Sequence, residues 1–308
     1  MAQKWLARAL GAPLVFACVV PQAWAGQDFA LKGFTMPVDK PVTVVFMRPD
    51  VDVGEMQAGG LAQPNADWTQ QARSQVEKAV RAELAQHSIA FSSMEEAIVT
   101  THRREVDAAT ACDKAAALAA AAATPAISAG APAAAISPAT ACASPTAASP
   151  EDAVAQYAAL HKAIVASILE HQYNLGGGKL PTKKDAFAYT MGPGAAQLGA
   201  MSGANYGLFI MTNDEFASAS RKTMQVAGLL GCMVGFCVIV RGGVHDSYAS
   251  LVELSTGNIV WFNLQRGSKG DVRQEAGARD MARAILASMP RAPAGPAGAT
   301  IPRTASAG

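Results

Sequence analysis

Apolar positions recur every three or four residues in three stretches of the chain, and elsewhere run alternately or without a break. Trp68, Ala72, Val76, Val80 and Leu84 lie nearly four apart. That spacing gathers them on one face of a helix and predicts one over Asp67–Gln86, capped by Asn65 or Asp67. In "SPEDAVAQYAALHKAIVASILEHQYNLGGG" the start is marked three times over. Ser149 is an N-cap, Pro150 occupies the first helical position, and Glu151 and Asp152 favour the positive helix end. Tyr157, Leu160, Ile164, Ile168 and Leu169 form its apolar stripe, and Gly176 supplies the stop. "EAGARDMARAILASM" predicts a closing helix with Met281, Ile285 and Met289 on one face and Pro290 at its end.

Strand signals lie between these helices. "VTVVFM", Val42–Met47, is an apolar run stopped by Arg48-Pro49-Asp50 and predicts a buried strand. The following "VDVGEMQAGGLAQPN" reads as an irregular loop with glycines, "SIAFSSM" as a short strand, and moderately charged residues then lead to Asp113. "AFAYTM" predicts a short strand, followed by a small-residue helix and a strong strand over Tyr206–Thr212. The run Thr223–Val240 is long and mostly apolar, with Gln225 and three glycines in it; we expect a buried helix–turn–strand there, with a membrane-inserting segment as the alternative. Ala249–Leu254 and Ile259–Leu264 flank Ser255-Thr256-Gly257-Asn258 and predict a β-hairpin, Gly257 taking the positive φ of its turn. Neighbours on a strand point to opposite faces, so one of Trp261 and Phe262 should face the core and the other a covering helix or a contact surface. Helices packed on one mixed sheet, with a C-terminal hairpin and a closing helix, make an α/β (α+β) fold.

Composition changes the domain picture. Half of the 308 residues are hydrophobic, yet only 6% are aromatic, and alanine supplies much of the apolar total. Residues 113–148 are mostly alanine with Pro, Ser, Thr and Gly and read as a low-complexity insertion, although "KAAALAAAAA" favours a helix. Residues 26–290 then form a single interrupted domain, and 291–308 a tail too poor in apolar surface to order.

The first 25 residues carry an address. Lys4 and Arg8 precede the uncharged run "ALGAPLVFACVVP" and the small-x-small site "AWA", which is the secretory signal pattern with cleavage between Ala25 and Gly26. "LVFAC" offers a competing reading, a lipoprotein box with Cys18 acylated and the protein anchored at the outer membrane. Cleavage removes Lys4 and Arg8 and no acid, so the charge goes from 25 − 24 = +1 to 23 − 24 = −1. Such a surface has no electrostatic footprint for nucleic acid or anionic lipid. Export implies a periplasmic, oxidising location for Cys112, Cys142, Cys232 and Cys237. Four cysteines allow three connectivities; Cys112–Cys142, which brackets the insertion, is the favoured pair.

The tempting motifs each fail a chemical requirement. "GGGKL" places Leu180 where a phosphate loop needs Ser or Thr for Mg²⁺. "GPGAAQLG" has Gln197 where a dinucleotide fingerprint needs glycine. His87, His102, His161, His171 and His245 form no pair at metal spacing, and read as surface or hydrogen-bonded histidines. Cys232 and Cys237 lack C-x-x-C spacing, and "AMSGAN" around Ser202 is no nucleophile elbow. His245-Asp246 reads as a turn before the hairpin. No catalytic, cofactor-binding or metal site is expected.

"YTMGPGAAQLGAMSGANYGLFI", "ASLVELSTGNIVWFN" and "ARDMARAILASMP" together resemble passages of a bacterial envelope group. That group comprises the curli-secretion channel lipoprotein, the activator lipoproteins of penicillin-binding proteins and the amino-terminal domain of the Tol β-propeller protein. The resemblance spans Val42 to Pro290 outside the insertion, with Glu253 and Asn205 where the group has aspartates. It implies an anticodon-binding-like α/β domain without cofactor that grips an envelope protein partner. An oligomeric secretion or pore-associated component is the alternative, and an enzyme with an unrecognised site the second.

Overall fold

The computed structural model describes residues 27–38, 41–86, 89–122, 149–175, 178, 186–233, 244–267 and 270–291. Its centre is β6, Tyr206–Ala217, a strand that serves two partners along one edge. β2, Thr43–Phe46, runs parallel to it, with Val44 opposite Tyr206 and Phe46 opposite Leu208. The chain then detaches over Met47-Arg48-Pro49 and rejoins the same edge as β3, Asp50–Met56, from Asp50 opposite Met211 to Met56 opposite Ala217. On its other edge β6 pairs antiparallel with β7, His245–Glu253. β7 pairs with β8, Asn258–Arg266, and β8 with β1, Gln27–Ala30. β5, Ala90–Ser93, closes the far side of β2 in parallel.

Residues 51–65 are therefore not an irregular loop. Valines 51 and 53 are buried between exposed Asp50 and Asp52, the period-two pattern of a half-buried strand. β3 turns back on β4, Ala62–Pro64, and a Cβ at Gly54 would lie 3.0 Å from the Gln63 carbonyl oxygen.

Helices cover both faces. On one lie α1, Ala66–Gln86, and α6, Glu275–Leu286. Ala72, Val76, Val80 and Leu84 meet Met281 and Ile285 over Leu208, Ile210 and Leu251. Asn65 caps α1, its Oδ1 accepting from the Trp68 amide at 3.0 Å. Asn263 Nδ2 of β8 donates to the Ile285 carbonyl at 2.8 Å and satisfies the end of α6.

The other face carries α2, Met94–Ala122, α3, Pro150–His171, and α4, Ala196–Ser202. Only the alanine-rich end of α2, within "KAAALAAAAA", was expected as helix. α2 opens with a reciprocal cap, the Ser93 amide donating to Glu96 Oε2 and the Glu96 amide to Ser93 Oγ, both at 3.1 Å. It runs on through the first ten residues assigned to the insertion. Past its first turns it is exposed, which is why no apolar stripe announces it. α3 starts as expected, the Asp152 amide donating to Ser149 Oγ. Its buried face is Ala153, His161, Val165 and Ile168, while Leu160 points outward at 40% exposure. It ends at His171, with Asn174 in the left-handed region at φ 58°; Gly176 lies outside the described residues.

The hairpin is longer than the sequence indicates, and Trp261 and Phe262 are both buried, one against each helical layer. Its turn also anchors the segment 187–192. The Ile259 amide donates to the Tyr189 carbonyl and the Met191 amide to the Gly257 carbonyl, so "AFAYTM" makes a single bridge rather than a strand.

The run after β6 departs from expectation. α5, Ala219–Met233, begins with Arg221 buried and Met224 and Val226 exposed. A buried helix is thus contradicted over its first turns, because β6 extends to Ala217 and delivers the chain past the covered sheet. Residues 234–243 lie outside the described residues. Among the described residues no helix is long and apolar enough to cross a membrane.

Gly257 carries φ +74°, and a Cβ there would run into the Gly192 backbone. Gly257→Ala should destabilise the fold by at least about 2 kcal/mol, from left-handed strain and displacement of the 187–192 segment. Urea unfolding with an unchanged m-value checks it; an unshifted midpoint would contradict this account of the turn.

Candidate groove at the carboxyl ends of β2 and β5

The two crossovers from β2 diverge. The chain reaches β5 by way of α1 on one face of the sheet, then passes through α2, α3 and α4 on the other face to β6. β5 and β6 flank β2 on opposite sides and both run parallel to it. In open α/β sheets such a switch of direction leaves a crevice beyond the carboxyl ends of the strands, the usual place for a ligand.

A groove of about 720 Å³ lies there. Met47 to Asp50, following β2, form one wall; Met94, Glu95 and Ile98, following β5, form another. Val154, Ala155, Ala158 and Lys162 of α3 close it, and Phe209, Met211 and Tyr248 of the sheet make its floor. The alanines of α3 have no bulk to fill the space, and the detached Met47–Pro49 leaves β6 uncovered at that level.

The floor is apolar and the rim is charged in both signs. Lys162 Nζ lies 3.0 Å from Asp50 Oδ2, and Arg48 Nε 3.6 Å from Glu95 Oε1. All four side chains are about half exposed or more, so each pair contributes at most about 1 kcal/mol and can re-pair with an incoming charge. Glu151 and Arg73 complete the rim. Met211 offers the lining a partly exposed, flexible thioether, while Met47 and Met94 back it from the core.

His161 is fixed at the base. Its ring stacks on Phe209 at 4.1 Å between centroids, and Nε2 hydrogen-bonds Ser250 Oγ. Burial pushes its pKa down to about 3, so it is neutral at ordinary pH. Burial likewise holds the Tyr248 hydroxyl protonated, well above its usual range.

A second polar group lies on the opposite face of the sheet. Asp214 of β6 is fully buried, with Oδ1 3.4 Å from His245 Nδ1 of β7. His245 and Asp246 thus open a strand rather than form a turn, and the partner of His245 comes from β6.

The residues singled out from sequence are not brought together in the groove. Cys112 sits on α2 and is not a free thiol; its expected partner Cys142 lies outside the described residues, as do Cys18, Ala25 and Gly26. His102 is on the exposed part of α2, and His171 at the end of α3 bonds the Gly178 carbonyl. Among the described residues no group of three or more His, Cys, Asp or Glu could hold a metal ion. The groove residues escaped sequence reasoning because they come from several elements. Their one local signal was the Ser93-x-x-Glu96 box, which fixes the start of α2 at the groove wall.

No family model matches the chain, and neither the curated proteins nor the solved structures contain a match.

Proposed function

We propose that this chain is a non-catalytic periplasmic accessory protein that holds a segment of an envelope protein partner in the groove between α2 and α3. The observation that carries this reading is the lining itself: an apolar floor of Phe209, Met211 and Tyr248 inside a rim with the exposed charges of Arg48, Asp50, Glu95 and Lys162. That combination suits a peptide segment with apolar anchors and flanking charges of both signs. The state of His161 favours binding over chemistry. An imidazole whose pKa is near 3, locked to Ser250, is a poor general base at neutral pH. The signal pattern and the resemblance of the second half to envelope binding domains point the same way.

A photo-crosslinking residue placed at Ala158, inside the groove, should give one discrete adduct in the native host. The same residue at Gln156, on the same helix but outside the groove, should give none, and Ala155→Arg should abolish the Ala158 adduct without changing the thermal midpoint. Equal labelling from both positions, or none from either, would overturn the groove as the binding site.

The processing that goes with this reading has its own readout. Intact mass of the protein from its native host should place the first residue at Gly26 and rise by two hydrogens on reduction, from a Cys112–Cys142 disulfide. A chain beginning at an acylated Cys18 would contradict the periplasmic form and favour the outer-membrane lipoprotein.

The start of α5, with Met224 and Val226 exposed, favours a second reading, an oligomeric secretion or pore-associated component. Sedimentation at increasing concentration should then show assembly that Val226→Lys abolishes; a monomer at every concentration would remove this reading.

A further inference from the structure

A fully buried carboxylate is costly unless a charge or several hydrogen bonds compensate it. Asp214 is 0% exposed, and among the described residues its Oδ2 has no hydrogen-bond partner. Oδ1 receives the Thr212 hydroxyl at 3.5 Å, a hydroxyl shared with Ser247 Oγ at 2.7 Å, and has His245 Nδ1 beside it at 3.4 Å. Among the described residues the basic group within ion-pair distance of the carboxylate is the His245 ring, 3.4 Å away and directly opposite it in the β6–β7 register.

We propose that Asp214 and His245 form a pH-sensitive latch that fastens the carboxyl end of β6 to the start of β7 and loosens when the imidazole loses its proton. The place matters because three backbone connections converge there. The Glu215 amide donates to the Val244 carbonyl, the Gly267 amide to the His245 carbonyl, and the Ser218 amide to the Met56 carbonyl. Directly beyond Ser218 begins α5, the helix with exposed Met224 and Val226. Loosening the latch therefore frees the base of α5.

The charges facing His245 come from every side. Asp214 is on β6, Asp246 adjoins it on β7, and Asp271 approaches from the loop before α6. Asp246 is drawn toward Arg266 of β8 at 3.4 Å, and Asp271 is held by Arg273 through two bonds of 2.9 and 2.7 Å. Arg273 is itself clamped between Trp68 of α1 and Phe216 of β6, 4.2 and 4.0 Å from the ring centres. Phe216 also packs edge-on against the His245 ring. The net field at the imidazole favours its cation, Asp214 foremost through its hydrogen-bonding contact and then its charge, with burial opposing.

The sign follows from linkage. A histidine whose folded pKa is raised stabilises the closed form fully below its open-state pKa, near 6.5, and the contribution is lost as pH rises through the folded value. His161 has the opposite sign and acts only below about 6.5, where the unfolded chain takes up a proton that the folded one refuses. Between pH 7 and 9 His161 is neutral in both states, so that window removes its contribution from the response.

Amide-exchange protection at residues 214–218 and 244–247, followed by NMR over pH 7–9, tests the latch. Protection should fall with rising pH, by at most about tenfold for each pH unit separating the titration of His245 in the closed and open forms. Protection in α3 should stay level. Asp214→Asn should weaken the response at 214–218 and 244–247 and lower the titration of the His245 ring. Should that variant fail to fold, the ring titration of the unmodified protein still decides. An imidazole titrating at or below the ordinary histidine value, or a pH response undiminished by Asp214→Asn, overturns the proposal.

Discussion

The structure depends on the interruption between β2 and β3. β6 needs a parallel partner along its whole length, and no single straight strand provides it. The chain pairs with Tyr206–Leu208, steps away over Met47-Arg48-Pro49, and returns opposite Met211. Pro49 has no amide hydrogen to give a ladder, and the Met47 amide is already bound to the Leu208 carbonyl. The break leaves Met211 partly exposed beside Phe209, which His161 covers, at a level where α3 otherwise presents alanines. The groove thus follows from the local chemistry of a proline in a strand that must be shared. The divergence of the two crossovers on either side of β2 keeps that space open to solvent.

The two histidines of the central sheet show how burial and charge divide the electrostatics between its faces. His161 has Phe209 and Ser250 for neighbours and is held neutral. His245 has Asp214 and two further carboxylates, and its cation is favoured. The sheet thereby carries an inert face, where a neutral ring supports the groove floor, and a responsive one at the exit of β6. The aromatic clamp on Arg273 stiffens the responsive side, since a guanidinium between two rings retains both stacking and ion pairing.

Elements that bury one regular face were legible in the sequence. The Val76–Val80–Leu84 face of α1, the hairpin around Gly257 and the Met281–Ile285 face of α6 all lie where their periodicity places them. α2 was legible only at its alanine-rich end, because most of it is exposed and carries no apolar stripe. β3 hid behind the glycines of 54, 59 and 60, although Val51 and Val53 already alternated with aspartates. In α3 the apolar count favoured Leu160, whereas the packed position is His161, made acceptable by a serine on β7 that no local window contains. The same holds for the groove and for Asp214. Their partners lie tens of residues away, and only the register of the sheet brings them together.

The most direct measurement is an amide-exchange footprint of the full chain, alone and in a detergent-free extract of its native envelope. This account predicts added protection at Met47–Asp50, Met94–Ile98 and Glu151–Lys162, the three walls of the groove, with α6 unchanged. Added protection confined to α6 or to the exposed half of α2, with the groove walls exchanging as in the isolated protein, would contradict it.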